Sequence, residues 1–276
     1  MESINCKGKI LTLDEPRIMG IVNCTPDSLY NSYGNQAIKT VLELVEKMIL
    51  EEVDIVDVGG FSTRPGAEFI SEEEELKRII LIIQEIHQKF PDLIISVDTF
   101  REKVAKEAVF SGASIVNDVS GGIEPNLFSL CAKHSIPYIL MHIKGAPTKM
   151  MDDTHYDALV PEIYRYFSEK IAHIQSAGVK DIILDLGFGF SKTLEQNYAL
   201  FNHIDFFNTL QKPMLVGISR KSMLTKLLRI ENKDALNATS VLNTFALVNG
   251  AHFLRVHDVK EAVEIKKIVA CLAQNK

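Results

Sequence analysis

Ile115-Val116-Asn117-Asp118-Val119-Ser120-Gly121-Gly122 decides the architecture. A short apolar run ends in polar residues and a glycine turn, and a helical pattern from about Pro125 to His134 follows it. The same order recurs along the chain. Ile18 to Val22 leads to Asn23-Cys24-Thr25-Pro26-Asp27-Ser28, and Ile55 to Val58 leads to Gly59-Gly60-Phe61-Ser62-Thr63-Arg64-Pro65-Gly66. Ile94 to Val97 ends at Asp98-Thr99-Phe100-Arg101, Tyr138 to Met141 at His142, and Ile182 to Leu184 at Asp185. Met214 to Val216 precedes Gly217-Ile218-Ser219-Arg220-Lys221-Ser222, and Phe253-Leu254 precedes Arg255-Val256-His257-Asp258. Runs this short, buried on both faces and alternating with helices, are the pattern of parallel strands in an α/β fold. Eight of them, evenly spread and with no GxGxxG opening a helix, predict a closed (β/α)8 TIM barrel in preference to an open doubly wound sheet. In such a barrel the chemistry sits at the carboxyl ends of the strands.

The length of 276 residues is close to the roughly 250 of one barrel, and 46% hydrophobic residues can fill both its interior and the layer between strands and helices. The expected organisation is a single domain over 1–276. Residues 1–14 form an N-terminal β-hairpin in this reading, because Ser3 to Cys6 and Lys9 to Leu13 flank Lys7-Gly8 and would plug the barrel floor. A formal net charge of -6 argues against a nucleic-acid partner, although Arg64, Lys221 and Arg255 all follow predicted strands and can still make a local anion site. Cys6, Cys24, Cys131 and Cys271 are scattered with no CxxC pair, which fits a reduced, cytoplasmic protein. Met1 to Lys9 lacks the apolar core of a signal peptide, and no run is long enough to span a membrane, so no membrane partner is expected.

Three loops are longer than a connection needs, namely Asn23 to Asn35, Gly59 to Ile70 and Ile143 to Thr154, and loops of that length commonly bind or cover ligands. Between them Val41, Leu44, Val45, Met48 and Ile49 recur at helical spacing. Ser71 is placed to cap a helix with Glu74 as its capping-box partner, and a helix from Glu102 to Ser111 stops at Gly112. Ala238 to Asn249 is apolar on more than one face, which predicts a helix buried in a homodimer interface.

Asp98, Asn117 and Asp185 end three different predicted strands and would point into one mouth. Carboxylates accept hydrogen bonds and an amide both donates and accepts, so the set suits a flat heterocycle bearing amino, ring N–H and carbonyl groups. Ser219 and Lys221 follow the seventh strand and Arg255 and His257 the eighth, where barrels often bind phosphate. Taken alone, Arg255 could instead pair with Asp258, and His257 could be a packed core residue. The residues by themselves describe a barrel with a planar polar ring at one end of a cavity and an anion at the other.

The ordered motifs resemble the dihydropteroate synthase family, the pterin-binding barrels of folate biosynthesis. They run from Met19-Gly20-Ile21-Val22-Asn23-Cys24-Thr25-Pro26-Asp27-Ser28, through Ser62-Thr63-Arg64-Pro65-Gly66-Ala67, Asn117-Asp118-Val119-Ser120-Gly121 and Ser219-Arg220-Lys221-Ser222, to Arg255-Val256-His257-Asp258-Val259. The resemblance implies condensation of 6-hydroxymethyl-7,8-dihydropterin diphosphate with 4-aminobenzoate, giving 7,8-dihydropteroate and diphosphate by a dissociative substitution. It also implies sulfonamides as inhibitors. On the same basis Asp98, Asn117, Asp185 and Lys221 would hold the pterin, and Asn23, Arg64, Arg255 and His257 the diphosphate with Mg2+, Asn23 being the metal contact. Thr63, Pro65, Phe190 and Ser219 would border the 4-aminobenzoate pocket, and Asp98, Asp185, Lys221 and Arg255 would carry the catalysis.

The chain departs from the family pattern in places. Leu29-Tyr30-Asn31-Ser32 replaces the usual Phe-Ser-Asp-Gly, Phe61 stands where an acidic residue is common, Leu186 where Pro is usual and Ser191 where Gly is usual. Rival readings are a methyltetrahydrofolate-dependent methyltransferase, a Schiff-base aldolase using Lys221 or Lys192, and a barrel that binds pterin without turnover. The first would not need Arg64 and Arg255 around a diphosphate, and the second requires a desolvated lysine facing a carbonyl.

Overall fold

The computed structural model describes residues 3–24, 35–60, 70–145 and 153–274. Two short strands open it, β1 (Ser3–Cys6) and β2 (Lys9–Thr12), paired antiparallel with Cys6 opposite Lys9. Lys7 and Gly8 both take positive φ, as a tight two-residue hairpin turn requires, and the Gly8 N–H donates to Asn5 Oδ1 at 2.7 Å. Eight strands follow: β3 (Arg17–Asn23), β4 (Ile55–Gly59), β5 (Ile94–Asp98), β6 (Ile115–Asp118), β7 (Tyr138–Met141), β8 (Ile182–Asp185), β9 (Met214–Val216) and β10 (Phe253–Val256). All neighbours are parallel, and β10 pairs with β3 to close the barrel. The helices are α1 (Asn35–Leu50), α2 (Glu72–Lys89), α3 (Glu102–Ser111), α4 (Asn126–His134), α5 (Leu159–Ser176), α6 (Leu194–Phe201), α7 (Ser222–Leu228), α8 (Leu236–Val248) and α9 (Val259–Gln274). The expected (β/α)8 barrel with an N-terminal hairpin is therefore what the chain forms.

Side chains alternate across each strand. Val56 and Val58 of β4, Ile95 and Val97 of β5 and Val116 of β6 face outward into the large apolar layer beneath the helices. The other set faces in. Met19, Ile55, Ile94, Ile115, Ile139, Ile183, Leu215 and Phe253, one from each barrel strand, meet Ile4 and Cys6 of the hairpin in a second apolar cluster. The hairpin thus plugs the amino-terminal end of the barrel as expected.

At two places the contacts differ from a reading the sequence allows. Ser71 Oγ accepts the Glu74 N–H at 3.1 Å, but the Glu74 carboxylate pairs with Arg78 one turn on, at 3.0 Å, instead of returning to the cap. A full charge at helical i,i+4 spacing outcompetes a neutral N–H for that carboxylate. Asp258 is taken by Arg220 through two hydrogen bonds, Nε at 2.9 Å and Nη2 at 2.5 Å, and not by Arg255. Arg255 points into the barrel, where other carboxylates meet it. Among the described residues no helix is long and apolar enough to cross a membrane.

Candidate active site

One pleat above the apolar floor the inward positions turn polar. Asp57 stands two residues beyond Ile55, Asn117 beyond Ile115, Asp185 beyond Ile183 and Arg255 beyond Phe253, while Asp98 lies four beyond Ile94. Because the side-chain period of a strand is two, these five share the interior face. Asp98 is in register with Asn117 on the next strand and with Gly59 on the previous one.

A continuous hydrogen-bonded network joins four of them, Asp57, Asp98, Asn117 and Arg255. Arg255 donates through Nε to Asp57 Oδ2 and through Nη2 to Asp98 Oδ2, both at 2.7 Å. Asp57 Oδ2 also accepts from Asn117 Nδ2 at 3.0 Å. Burial works against the charge on Arg255, yet Asp57 and Asp98 outweigh it and raise its pKa. Burial pushes the Asp98 carboxyl up to about 7, with Arg255 pulling the other way and Asp57 adding to the rise. The Asp185 carboxyl is raised by burial as well, opposed by Lys221, and its Oδ1 accepts the Gly187 N–H at 2.8 Å. Burial lowers Lys221 to about 8 against the attraction of Asp185.

The turn after β8 shapes the neighbouring wall. Gly187 takes φ +67, and a Cβ there would lie 2.0 Å from His142 O, so only glycine permits the strand end to pass so close to β7. Lys221 Nζ donates to Phe188 O at 2.6 Å and lies 4.6 Å from the centre of the Phe190 ring. Lys192 secures the same turn from behind. Its buried Nζ donates to Gly187 O at 2.9 Å and to Phe190 O at 3.0 Å, and meets His142 Nδ1 at 3.0 Å. Three N–H groups have three acceptors, which describes an ammonium used for structure and not an amine facing a carbonyl. Burial nonetheless lowers it to about 7. The aldolase reading loses its geometric basis at Lys192.

Phe190 packs with Val119, Met141 and Ile143, and with partly buried Phe100. Apolar side chains therefore gather at the same barrel mouth as Asp98, Asn117 and Asp185, with Met141 in register with Asp185, an arrangement that would form an apolar-walled slot with that polar edge. Ser219 Oγ lies 3.0 Å from His257 Nδ1 and accepts the His257 N–H at 3.2 Å, so the ends of β9 and β10 are tied together beside Lys221. His257 is partly buried in this polar setting, not a packed core residue. Asn23 ends β3, partly buried, in register with Gly59. Thr63, Arg64 and Pro65, and Phe61 with the replaced first-loop residues Leu29 to Ser32, lie outside the described residues.

A slot with apolar walls, two carboxylates and an amide on its edge, and cations beside it is suited to a flat, hydrogen-bonding heterocycle attached to an anion. The comparisons give that arrangement a family. A model of the family described as "Pterin binding enzyme" matches residues 19–257. The chain is 40% identical over 265 residues to the dihydropteroate synthase of Escherichia coli strain K12, covering 95% of this chain and 94% of that one.

The chain belongs to the dihydropteroate synthase family.

Solved members of that family superpose closely. A Yersinia pestis dihydropteroate synthase in a sulfonamide drug complex is 36% identical, with a TM-score of 0.92 over 99% of this chain and 100% of that one. A Xanthomonas albilineans dihydropteroate synthase with 4-aminobenzoic acid is 35% identical, with a TM-score of 0.91 over 98% of each chain. The dihydropteroate synthases are transferases of folate synthesis.

Of the residues expected from the sequence, Asp98, Asn117, Asp185, Lys221, Phe190, Ser219, Arg255 and His257 all lie at or just beyond five strand ends of the barrel. Asp57 and the apolar wall of Val119, Met141 and Ile143 are additions that the structure supplies. The signal for Asp57 was present, because an aspartate inside Ile55-Val56-Asp57-Val58 can be buried only if something pairs with it.

Proposed function

We propose that this chain catalyses the dihydropteroate synthase reaction, condensing 6-hydroxymethyl-7,8-dihydropterin diphosphate with 4-aminobenzoate. The single observation that carries the reading is the slot edged by Asp98, Asn117 and Asp185 in a chain of this family. The carboxylates and the amide take the amino, N–H and carbonyl groups of the pterin, with its faces against Val119, Met141 and Ile143. Lys221, held over the Phe190 ring, completes the pterin contacts.

The substitution is dissociative. The bond from the methylene carbon to the diphosphate oxygen breaks, and its electron pair leaves with diphosphate. The ring nitrogens share the positive charge left on carbon, and Asp98 and Asp185 favour that cation. The amine nitrogen of 4-aminobenzoate then bonds to the methylene carbon and releases a proton. Arg255 uses Nε and Nη2 on Asp57 and Asp98, so Nη1 and the second Nη2 hydrogen are what it offers to the anion. His257, Ser219 and Arg64 are the other polar groups assigned to diphosphate and amine, with Thr63, Pro65 and Phe190 beside the amine. The bound 4-aminobenzoic acid of the Xanthomonas albilineans relative and the sulfonamide of the Yersinia pestis one support a 4-aminobenzoate pocket open to sulfonamides.

Mg2+ fits the donor set as an ion carried mainly by the substrate. Asn23 offers one neutral amide oxygen, and among the described residues no three His, Cys, Asp or Glu side chains gather into a cage. Bound there through diphosphate oxygens and water, it would neutralise charge on the leaving group.

The assembly is a homodimer through α8 in this proposal. Val241, Phe245 and Val248 of α8 and Ile268 and Leu272 of α9 are exposed large apolar side chains on two helices that pack together, and a second copy would cover them. Light scattering should give twice the chain mass at micromolar concentration, and a monomer would reject the interface. Cys6, Cys24 and Cys131 are buried free thiols, which supports the reducing cytoplasm as the compartment. The reaction is tested by incubating purified protein with the dihydropterin diphosphate and Mg2+, with and without 4-aminobenzoate. Diphosphate release coupled to 7,8-dihydropteroate is expected, and tight pterin binding without product would leave only a binding protein.

A further inference from the structure

Asp57 is fully buried on β4 and has no place in the pterin or diphosphate contacts assigned above. Its Oδ2 accepts from Asn117 Nδ2 at 3.0 Å and from Arg255 Nε at 2.7 Å. Its Oδ1 is buried with no hydrogen-bond partner among the described residues. A half-satisfied carboxylate inside the barrel is costly to folding, and an apolar residue would suit the floor beneath it better. The cost points to a role in the site.

Chemistry supplies that role. An ionised carboxylate only accepts hydrogen bonds, so it can meet the Asn117 side chain through the NH2 group and not through the carbonyl. The amide is planar, and with Nδ2 turned to β4 its Oδ1 lies on the opposite side. Asn117 therefore meets a ligand with its carbonyl oxygen and its second N–H in one fixed order. Without Asp57 the two ends of the amide are nearly equal in shape, and half of the orientations would set donor against donor on the ring edge. The same oxygen holds Arg255 Nε, so the amide and the guanidinium are positioned from one point.

We propose that Asp57 is a positioning residue that fixes the donor–acceptor order of Asn117 toward the pterin ring, and so sets which hydrogen-bonding edge the slot accepts. The proposal rests on the reading of the slot as the pterin site. It goes beyond that reading in making specificity at β6 depend on a side chain of β4 that does not touch the substrate.

A double-mutant cycle tests it, with binding of 6-hydroxymethyl-7,8-dihydropterin diphosphate followed by calorimetry and, for weak variants, by competition. Asp57→Asn should weaken pterin binding at least tenfold while leaving the KM for 4-aminobenzoate, at saturating pterin, within twofold. In an Asn117→Ala background the same Asp57→Asn change should cost less than threefold, the remainder passing through Arg255. An Asp57→Asn protein within twofold of the parent, or one with the same loss in both backgrounds, would overturn the proposal. A second readout needs no variant: the Asn117 side-chain NH2 should be protected from solvent exchange in the unliganded parent, and fast exchange would also overturn it. Failure of the parent to bind the dihydropterin diphosphate at all would instead count against the proposed function, so the two failures are distinguishable.

Discussion

The two ends of the barrel are built from the same strands and the same inward face, one pleat apart. At the floor Ile55, Ile115, Ile183 and Phe253 pack with Ile4 and Cys6 of the hairpin in a fully apolar cluster. Two residues further along, Asp57, Asn117, Asp185 and Arg255 occupy the equivalent positions. The floor gains stability from burying apolar surface. The mouth holds desolvated charge, which shows in the raised pKa of Asp98 and Asp185 and the lowered pKa of Lys221. The difference teaches that this fold separates stability from chemistry along the strand axis, so substitutions at the two ends should fail in different assays.

The largest expected effect on the reaction lies at the mouth. Lys221→Met or Asp185→Ala should weaken binding of the dihydropterin diphosphate about 100-fold, the loss expected for a hydrogen bond to a charged group. Calorimetry reads it, and near-normal affinity in both would break the assignment of this end as the site.

Lys192→Met should have a smaller effect, because Lys192 acts through the turn it holds. Losing its bonds to Gly187 O and Phe190 O should raise the KM for 4-aminobenzoate about tenfold, the size of one net hydrogen bond or so. An unchanged KM in steady-state assays would show that the turn holds itself.

The pH dependence of pterin affinity should be bell-shaped and only a few-fold high. Affinity rises as Asp98 ionises through about 7 and falls as Lys221 loses its charge through about 8. Asp98→Asn should remove the acid limb and Lys221→Met the alkaline one. The stability of the free protein runs the other way. Folded Asp98 keeps its proton between its ordinary 3.8 and about 7, so stability falls with rising pH there. Folded Lys221 gives up its proton from about 8 toward its ordinary 10.5, so stability rises with pH over that range. Denaturant titrations at fixed pH values check both signs.

The smallest effect on the reaction belongs to the floor. Phe253→Ala should cost about 3–5 kcal/mol of stability by opening a cavity under the barrel. The kcat/KM of the folded fraction should stay within twofold. A large loss of kcat/KM with stability unchanged would erase the distinction between the two ends.

Much of this was legible from local pattern. The strand runs, the hairpin and the placement of Asp98, Asn117 and Asp185 follow from a period of two and from polar residues closing apolar runs. The partners of Arg255 were not legible, because Asp57 lies 198 positions away in sequence and only barrel closure brings them together. The apolar wall was hidden for another reason. Met141 and Val119 look like ordinary strand and turn residues until the inward face is known. The pattern Ser71 to Glu74 is that of a capping box, but Arg78 one turn on takes the Glu74 carboxylate, and a motif of four residues does not include that competitor.

The most direct test of the central claim is a crystal structure of the protein with a dihydropterin bound. The account predicts the ring against the apolar cluster of Val119, Met141, Ile143 and Phe190, its edge within hydrogen-bonding distance of Asp98, Asn117 and Asp185. A ring seated elsewhere, with those three side chains bonded only to one another and to water, would contradict it.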